Sequence, residues 1–210
     1  MRLCSIASGS SGNCIYVGSE EAHVLVDVGI SGKSIEKGLN SLDLTGKDVD
    51  GILITHEHSD HIKGLGVISR KYGIPIYTTG GTADAMLRMK SLGKMPEGLI
   101  HEIREDEPFG IKDLTVNPFT IPHDAAQPVG YRLECGEHSV GIATDLGKYN
   151  DYIVKNLEIW MRCFWKQIMT SACFRLENTL IISNRGFWET VGISPMRMQD
   201  VCSVGSSMII

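Results

Sequence analysis

The chain has 210 residues, with 20 Lys and Arg against 25 Asp and Glu, and a formal net charge of −5. Hydrophobic residues at 42% and charged residues at 21% are typical of a folded globular protein and exclude a disordered chain. No apolar run approaches the roughly 20 residues that a membrane span requires, and the first residues carry no apolar signal segment. We therefore expect a cytoplasmic protein without a membrane partner.

Residues 1–158 are predicted to alternate strands with helices and then to continue mostly as strands. The predicted strands are Arg2–Ala7, Cys14–Gly18, Ala22–Asp27, Asp50–Thr55, Ile74–Thr78, Ile100–Ile103, Leu114–Ile121, Val129–Cys135 and Ser139–Asp145. The predicted helices are Lys33–Leu42, Leu65–Lys71 and Gly81–Leu92. This order indicates an α/β (α+β) fold, with two packed sheets and helices on the outer faces.

The strongest functional signal is the run THEHSDH at residues 55–61, which directly follows an apolar strand. His56 and His58 are two residues apart in an extended segment and so project to one side. Asp60 and His61 begin the next turn or helix and can face the same space. Imidazole and carboxylate groups are ligands for Zn, Mn and Fe. A solvated polar loop is the alternative, but packing so many ionisable groups together without a cation is costly.

Two later residues of ligand type also stand at predicted strand ends. His123 follows the strand that ends at Ile121, and Asp145 ends the strand that begins at Ser139. Taken separately, His123 would be an ordinary surface histidine and Asp145 a helix N-cap. Together with the THEHSDH run, both become candidate metal ligands.

At this point the chain resembles the metallo-β-lactamase-fold hydrolases, whose metal motifs are H-x-H-x-D-H, a later His and a later Asp. Four further motifs narrow the resemblance to the YycJ (WalJ) branch: ASGSSGNC at 7–14, LVDVG at 25–29, HDA at 123–125 and PVGY at 128–131. The resemblance covers residues 1–158. It implies a four-layer αββα sandwich with a dinuclear site at one sheet edge. It also implies a metal-dependent nuclease that acts as a 5′→3′ exonuclease on double-stranded DNA.

The resemblance implies two divalent cations, Zn or Mn, held by six side chains: His56, His58 and His123 for the first cation, Asp60 and His61 for the second, and Asp145 bridging both. Asp60, His61 and Asp145 are the residues assigned to catalysis. Two adjacent cations lower the pKa of a shared water, so that hydroxide forms near neutral pH, and they neutralise charge on a phosphodiester.

For each of several neighbouring residues, two interpretations stay open. Asp27 either orients a metal-bound histidine or forms the turn before Gly29. Asp124 either assists proton transfer or has a plain turn role. The Ser8–Asn13 loop is either a structural hairpin turn or an anion site, to which Ser10, Ser11 and Asn13 would offer hydroxyl, amide and backbone donors.

The resemblance ends where the composition changes. Residues 1–158 hold all 7 His and have a net charge of −7, whereas residues 159–210 hold all 3 Trp and have a net charge of +2. The family needs one more His near its C-terminus to complete the second metal site, and no His follows His138. The domain is therefore predicted to span 1–158, with a truncated or scrambled C-terminal part.

A one-base shift in reading frame explains both departures. A back-translation of residues 159–169, read from its third base, encodes MDALFLEANH, and the same shift over residues 187–196 encodes LGDRGHLSN. These runs resemble the family's EANHD and GHLSN motifs, and the second contains the missing His. We interpret residues 159–210 as out-of-frame translation, through either a sequencing error or a genuine mutation.

Three functions follow from the sequence. The leading one is a metal-dependent phosphodiesterase, an exonuclease with DNA as its substrate. The alternatives are a hydrolase for a thioester, lactone or β-lactam on the same scaffold, and a catalytically impaired metal-binding protein that lacks the last His. The sequence does not indicate an oligomeric state.

Overall fold

The computed structural model describes residues 1–146, 150–158, 171–176 and 179–184. Within these segments the chain forms two six-stranded sheets that pack face to face, with helices outside them. Among these residues, no helix combines the length and the apolar character that crossing a membrane would require.

The first sheet has the strand order β1-β2-β3-β4-β5-β6. Its strands are Arg2–Ala7 (β1), Cys14–Gly18 (β2), His23–Val26 (β3), Gly51–Leu53 (β4), Ile76–Thr79 (β5) and Ile100–Ile103 (β6). The first three strands form an antiparallel meander, and β3 to β6 run parallel to one another. The parallel strands need crossover connections, and helices supply them.

The second sheet is antiparallel, and its strand order is β11-β12-β10-β9-β8-β7. Its strands are Phe109–Ile111 (β7), Leu114–Thr120 (β8), Val129–Cys135 (β9), His138–Thr144 (β10), Ser171–Leu176 (β11) and Thr179–Asn184 (β12). Because β8 and β10 both pair antiparallel with β9, they run in the same direction and end at the same edge.

The helices are Gly32–Asn40 (α1), Ser59–Ile62 (α2), Leu65–Tyr72 (α3), Gly80–Leu87 (α4) and Asp151–Glu158 (α5). One apolar cluster fills the space between the sheets and includes Val26, Leu53 and Tyr131. A second lies between the first sheet and α1 and α3. A third joins the outer face of the second sheet to α5 through Phe119 and Ile153. These layers are those of an αββα sandwich, so the predicted fold is confirmed.

The strand predictions agree with the structure to within two residues, and β1, β2, β6 and β9 have the predicted bounds. The alternation of apolar runs with glycine turns is therefore a sufficient signal for the whole first sheet and for β8, β9 and β10 of the second sheet. The residues Val24, Leu25 and Val26 are all fully buried, as expected of a strand covered on both faces. The prediction omitted β7, α5 and the two strands β11 and β12, which fall in the predicted out-of-frame tail.

The single helix predicted over Gly81–Leu92 is wrong at its C-terminal end. The structure ends α4 at Leu87, holds Met89 in an extended conformation and continues as a short 3-10 turn at Lys90–Leu92. The guanidinium of Arg70 donates to the carbonyl oxygen of Leu92 at 2.7 Å, so a hydrogen bond from α3 stabilises this turn. This contact forms only in the folded chain, so the helical periodicity of the sequence does not indicate it.

Two segments of the predicted out-of-frame tail lie among the described residues. Ser171–Leu176 and Thr179–Asn184 pair with each other, and the second of them pairs with β10. The remainder of residues 159–210 lies outside the described residues. The domain boundary at residue 158 and the out-of-frame origin of the tail both stay predictions.

The core between the sheets should dominate the stability of the fold. Leu53 is fully buried there, whereas Leu87 on α4 is 58% exposed. We expect Leu53→Ala to lower the free energy of unfolding by about 2–5 kcal/mol, because it removes buried apolar contacts and leaves a cavity. The matched change Leu87→Ala should alter it by less than about 0.5 kcal/mol. Urea unfolding followed by circular dichroism measures both, and equal effects would contradict the assignment of the core.

Candidate metal centre

The predicted ligands lie on loops that leave the strands at one edge of the sandwich. Strands β3 and β4 are parallel, so Asp27 and the THEHSDH segment emerge from the same edge of the first sheet. Strands β8 and β10 share a direction, so His123 and Asp145 emerge together from the second sheet. Strand direction therefore gathers residues that are far apart in the sequence.

The structure brings five of the predicted ligands into two overlapping donor groups. His56, His58 and His123 form one group, and His56, His61 and Asp145 form the other. Within each group the candidate ligand atoms lie within 4.8 Å of one another. Such groups present nitrogen and oxygen donors to a common space, as a divalent cation requires.

The closest contacts between donors run through His123 and Asp145. The Nε2 of His123 lies 3.2 Å from the Nδ1 of His58. An Asp145 carboxylate oxygen lies 2.8 Å from the Nε2 of His61 and 3.5 Å from the Nε2 of His56. Asp60 stands at the margin of this arrangement, with its carboxylate 3.6 Å from the Nε2 of His61 and its side chain 32% exposed.

His56 provides the test of whether these residues suit a cation. The side chain is fully buried, and its Nε2 has no hydrogen-bond partner among the described residues. Burial, followed by the neighbouring imidazoles, lowers the pKa of His56 to about 2, so the ring is neutral near pH 7. A neutral imidazole with a free nitrogen lone pair is the metal-binding form. The donor set therefore fits a divalent cation, which would occupy the unpaired position.

Asp27 contacts the second donor group from behind. Its side chain is fully buried, and one carboxylate oxygen lies 2.7 Å from the Nδ1 of His61. The carboxylate also accepts hydrogen bonds from the backbone N–H and the hydroxyl of Thr55, at 2.9 and 2.8 Å. Because a carboxylate only accepts, Nδ1 of His61 carries a proton, and Nε2 is the nitrogen that faces Asp145.

The charges around His61 also affect its protonation in the cation-free protein. Burial by itself lowers the pKa of His61, but the carboxylates of Asp27 and Asp145 outweigh it and raise the pKa to about 10. Burial raises the pKa of Asp145, but its hydrogen bond to His61 and the charge of that histidine lower the pKa by more. The net shift of the Asp145 pKa is therefore downward. Both carboxylates therefore favour positive charge at this position.

Backbone hydrogen bonds connect the three loops that surround His61. The Asn13 N–H donates to the Asp60 carbonyl, the Gly29 N–H to the Asn13 carbonyl and the Val28 N–H to the His61 carbonyl, each at 2.7 Å. A Cβ atom at Gly29 would lie 1.6 Å from the Asp60 carbonyl oxygen. Only glycine therefore permits this close approach of the LVDVG and THEHSDH segments.

A separate set of contacts anchors the loop that carries His123. The Ala126 N–H donates to a carboxylate oxygen of Glu57 at 2.9 Å. The side chain of Gln127 accepts from the Gly81 N–H at 2.7 Å and donates to Glu105 at 2.6 Å. The sequence interpretation missed both Glu57 and Gln127. Glu57 lies between two candidate ligands in H-x-H, but no local pattern indicates its contact 69 residues away.

The other predicted site residues differ in their burial and in their contact with the candidate ligands. Asn13 is 4% exposed, and its side-chain nitrogen lies 3.1 Å from the Nε2 of His61. Ser10 and Ser11 are exposed on the preceding turn, and Asp124 is exposed beside His123. Among the described residues, neither donor group includes these last three side chains.

Comparison with known proteins finds a matching family and similar sequences. The sequence profile of the metallo-β-lactamase superfamily matches residues 7–170. An exodeoxyribonuclease YycJ of Bacillus anthracis is 43% identical over 148 residues, and an exodeoxyribonuclease WalJ of Streptococcus pneumoniae is 42% identical over the same length. Each alignment covers 70% of this chain and 54% of the relative, so the chain spans about half the length of these relatives.

The fold is also similar to solved structures. The metallo-β-lactamase SMB-1, bound to 2-mercaptoethanesulfonate, superposes with a TM-score of 0.55 at 18% identity, covering 78% of this chain and 72% of that one. At this identity the likeness concerns the fold. The match to the family profile, the identity to the two relatives and the architecture lead to one conclusion: the chain belongs to the metallo-β-lactamase superfamily.

Proposed function

We propose that this chain is a dinuclear metal-dependent phosphodiesterase of the nuclease type, acting on DNA as an exonuclease. The observation that carries the metal-dependent part is the buried Nε2 of His56, which lies among further donors and has no hydrogen-bond partner among the described residues. The relatives named exodeoxyribonucleases support DNA as the substrate. Membership of a hydrolase superfamily supports the reaction type.

The proposed ligands divide between two cations, Zn or Mn. His56, His58 and His123 would hold the first, Asp60 and His61 would hold the second, and Asp145 would lie between them. The contacts of Asp145 with both His56 and His61 support its bridging position. When bound, the cations would supply activation of water near neutral pH and neutralisation of charge on a phosphodiester.

The protein's own residues would orient the ligands and hold their protons. Asp27 would keep the Nδ1 proton of His61 and so direct Nε2 toward the cation. Glu57 and Gln127 would hold the loop that presents His123. Asp124, Ser10 and Ser11 are exposed at the same end of the molecule and would contact substrate or assist proton transfer.

The absence of a His after His138 favours a second candidate, a metal-binding protein without turnover. It differs from the leading proposal in one measurable respect. A dinuclear enzyme binds two equivalents of cation and cleaves a phosphodiester, whereas the impaired protein binds one equivalent and cleaves nothing. A hydrolase for a thioester, lactone or β-lactam would bind two equivalents and leave DNA intact.

The origin of the tail has its own test. We propose that residues 159–210 are translated out of frame, and resequencing the DNA around the codons for Glu158 and Ile159 decides this. A one-base insertion or deletion relative to related genes is expected. A continuous frame that encodes the printed residues without such a change would contradict the proposal.

The central prediction concerns metal and nuclease activity together. The protein loaded with Zn or Mn should bind two equivalents and degrade linear duplex DNA. His58→Ala removes a donor of the first group, so we expect the loss of one tightly bound equivalent and a fall in DNA degradation of about 100-fold or more. Metal analysis by plasma mass spectrometry and gel assays of end-labelled DNA measure these quantities.

The matched control for this experiment is His138→Ala. His138 is exposed and begins β10 at the end of the strand opposite Asp145, so its removal should change neither metal content nor activity. If His58→Ala degraded DNA at the wild-type rate, the proposed site would be wrong.

A second prediction concerns Glu57. Removing its carboxylate in Glu57→Ala leaves the Ala126 N–H without its acceptor and releases the loop that presents His123. We expect zinc affinity to fall by about 10-fold, the size typical of contacts that orient metal ligands. Glu57→Gln retains an acceptor oxygen and should restore affinity to near the wild-type value. Competition titrations with a chelating dye measure both, and wild-type affinity in Glu57→Ala would contradict this role.

A further inference from the structure

We propose that the side-chain amide of Asn13 donates a hydrogen bond to a phosphate oxygen of the substrate. The inference rests on the proposed function, because it assigns a cation to His61 and a phosphodiester to the site. It extends that function by naming a substrate-binding group outside the metal ligands.

The orientation of the Asn13 amide follows from its partners. Its side-chain oxygen lies 3.1 Å from the backbone nitrogen of Gly9, and a backbone N–H can only donate. The atom facing Gly9 must therefore be the oxygen. The amide nitrogen then points the other way, to 3.1 Å from the Nε2 of His61. The NH2 group is thus directed into the proposed metal centre.

The amide is also held in this position. Asn13 is 4% exposed, its N–H donates to the Asp60 carbonyl and its carbonyl accepts from the Gly29 N–H. A Cβ atom at Gly29 would lie 2.8 Å from the Asn13 nitrogen, so the two backbones are in close contact. Backbone bonds on both sides and burial of the side chain keep the NH2 group from turning to solvent.

The Asn13 NH2 group finds no acceptor on His61. The Nε2 of His61 lies 2.8 Å from an Asp145 carboxylate oxygen, which can only accept, so in the cation-free protein Nε2 carries a proton and donates to Asp145. The Nδ1 of His61 is committed to Asp27 at 2.7 Å, so Nε2 is also the nitrogen that a cation would use. In neither state can Nε2 accept from the Asn13 amide. The result is a buried NH2 donor beside the proposed metal centre, which is unfavourable unless an acceptor arrives.

A phosphate oxygen of the substrate suits this position as the acceptor. A phosphate oxygen is anionic and only accepts hydrogen bonds, so it would be attracted by the cations and satisfied by the NH2 group together. The exposed hydroxyls of Ser10 and Ser11 lie on the same loop and could contact neighbouring oxygens. Asn13 would therefore form part of a phosphate site beside the metal centre.

The experiment compares two ligands on the full chain, zinc and inorganic phosphate, by isothermal titration calorimetry. In Asn13→Ala the NH2 group is lost, so phosphate binding to the zinc-loaded protein should weaken by about 10-fold or more. Zinc binding should stay unchanged, because Asn13 is not one of the proposed metal ligands. Weaker phosphate binding with unchanged zinc binding is specific to the proposal, since a general loss of structure would weaken both.

Asn13→Asp provides a second variant of nearly identical shape, in case Asn13→Ala does not fold. It keeps an oxygen for the Gly9 N–H but replaces the NH2 donor with an acceptor. We expect tighter zinc binding and weaker phosphate binding. The control Asn117→Ala removes an amide that contacts Arg132 and Glu134 instead, and it should change neither affinity.

Three outcomes would overturn the inference. Phosphate affinity that is unchanged in both Asn13 variants would exclude the amide as a donor to phosphate. Parallel weakening of zinc and phosphate would assign Asn13 a structural role. A wild-type protein that neither binds phosphate nor degrades duplex DNA would overturn the inference together with the proposed function. Wild-type degradation of DNA with unchanged phosphate affinity in the variants would overturn the inference and leave the function standing.

Discussion

Asp27 lies directly after β3 with its side chain fully buried, and its carboxylate is hydrogen-bonded to the THEHSDH segment at three points. A buried carboxylate is costly unless it is paired, and removing one partner of such a pair typically costs about 3–5 kcal/mol. Asp27 also has a φ of 58°, so the backbone turns sharply at this residue. Asp27 therefore forms the turn before Gly29, and its contact with His61 supports the proposal that it orients this histidine.

The position of His61 determines much of what surrounds it. With Nδ1 directed to Asp27, Nε2 faces Asp145, Asp60 and Asn13. The close backbone contact between Gly29 and Asp60 brings the N-terminal loop against the same histidine. A centre built this way has donors fixed in place before any cation arrives, which lowers the reorganisation that binding would require.

Most of the fold could be predicted from the sequence because the sheets consist of short apolar runs separated by glycine turns. The strand β7 has three residues, one of them glycine, and falls below the length at which alternation is a usable signal. The end of α4 depends on a hydrogen bond from Arg70, which is a tertiary contact.

The candidate site likewise contains some residues that the sequence indicates and others that only the folded structure identifies. The H-x-H-x-D-H spacing is local, so His56, His58, Asp60 and His61 could be singled out from sequence, and strand ends indicated His123 and Asp145. Glu57 and Gln127 act across long sequence separations, and their contacts with Ala126 and Gly81 exist only in the folded chain. The direction of the Asn13 amide likewise depends on the Gly9 N–H, which sequence spacing does not reveal.

The most direct test of the metal centre is anomalous X-ray scattering from crystals of the zinc-loaded chain. Two peaks are predicted at the edge of the sandwich, one among His56, His58 and His123 and the other beside Asp60, His61 and Asp145. A zinc peak bound to the Nε2 of His56 would explain why that buried nitrogen has no protein partner among the described residues. Crystals that contain zinc at other surfaces and none at His56 would contradict the assignment.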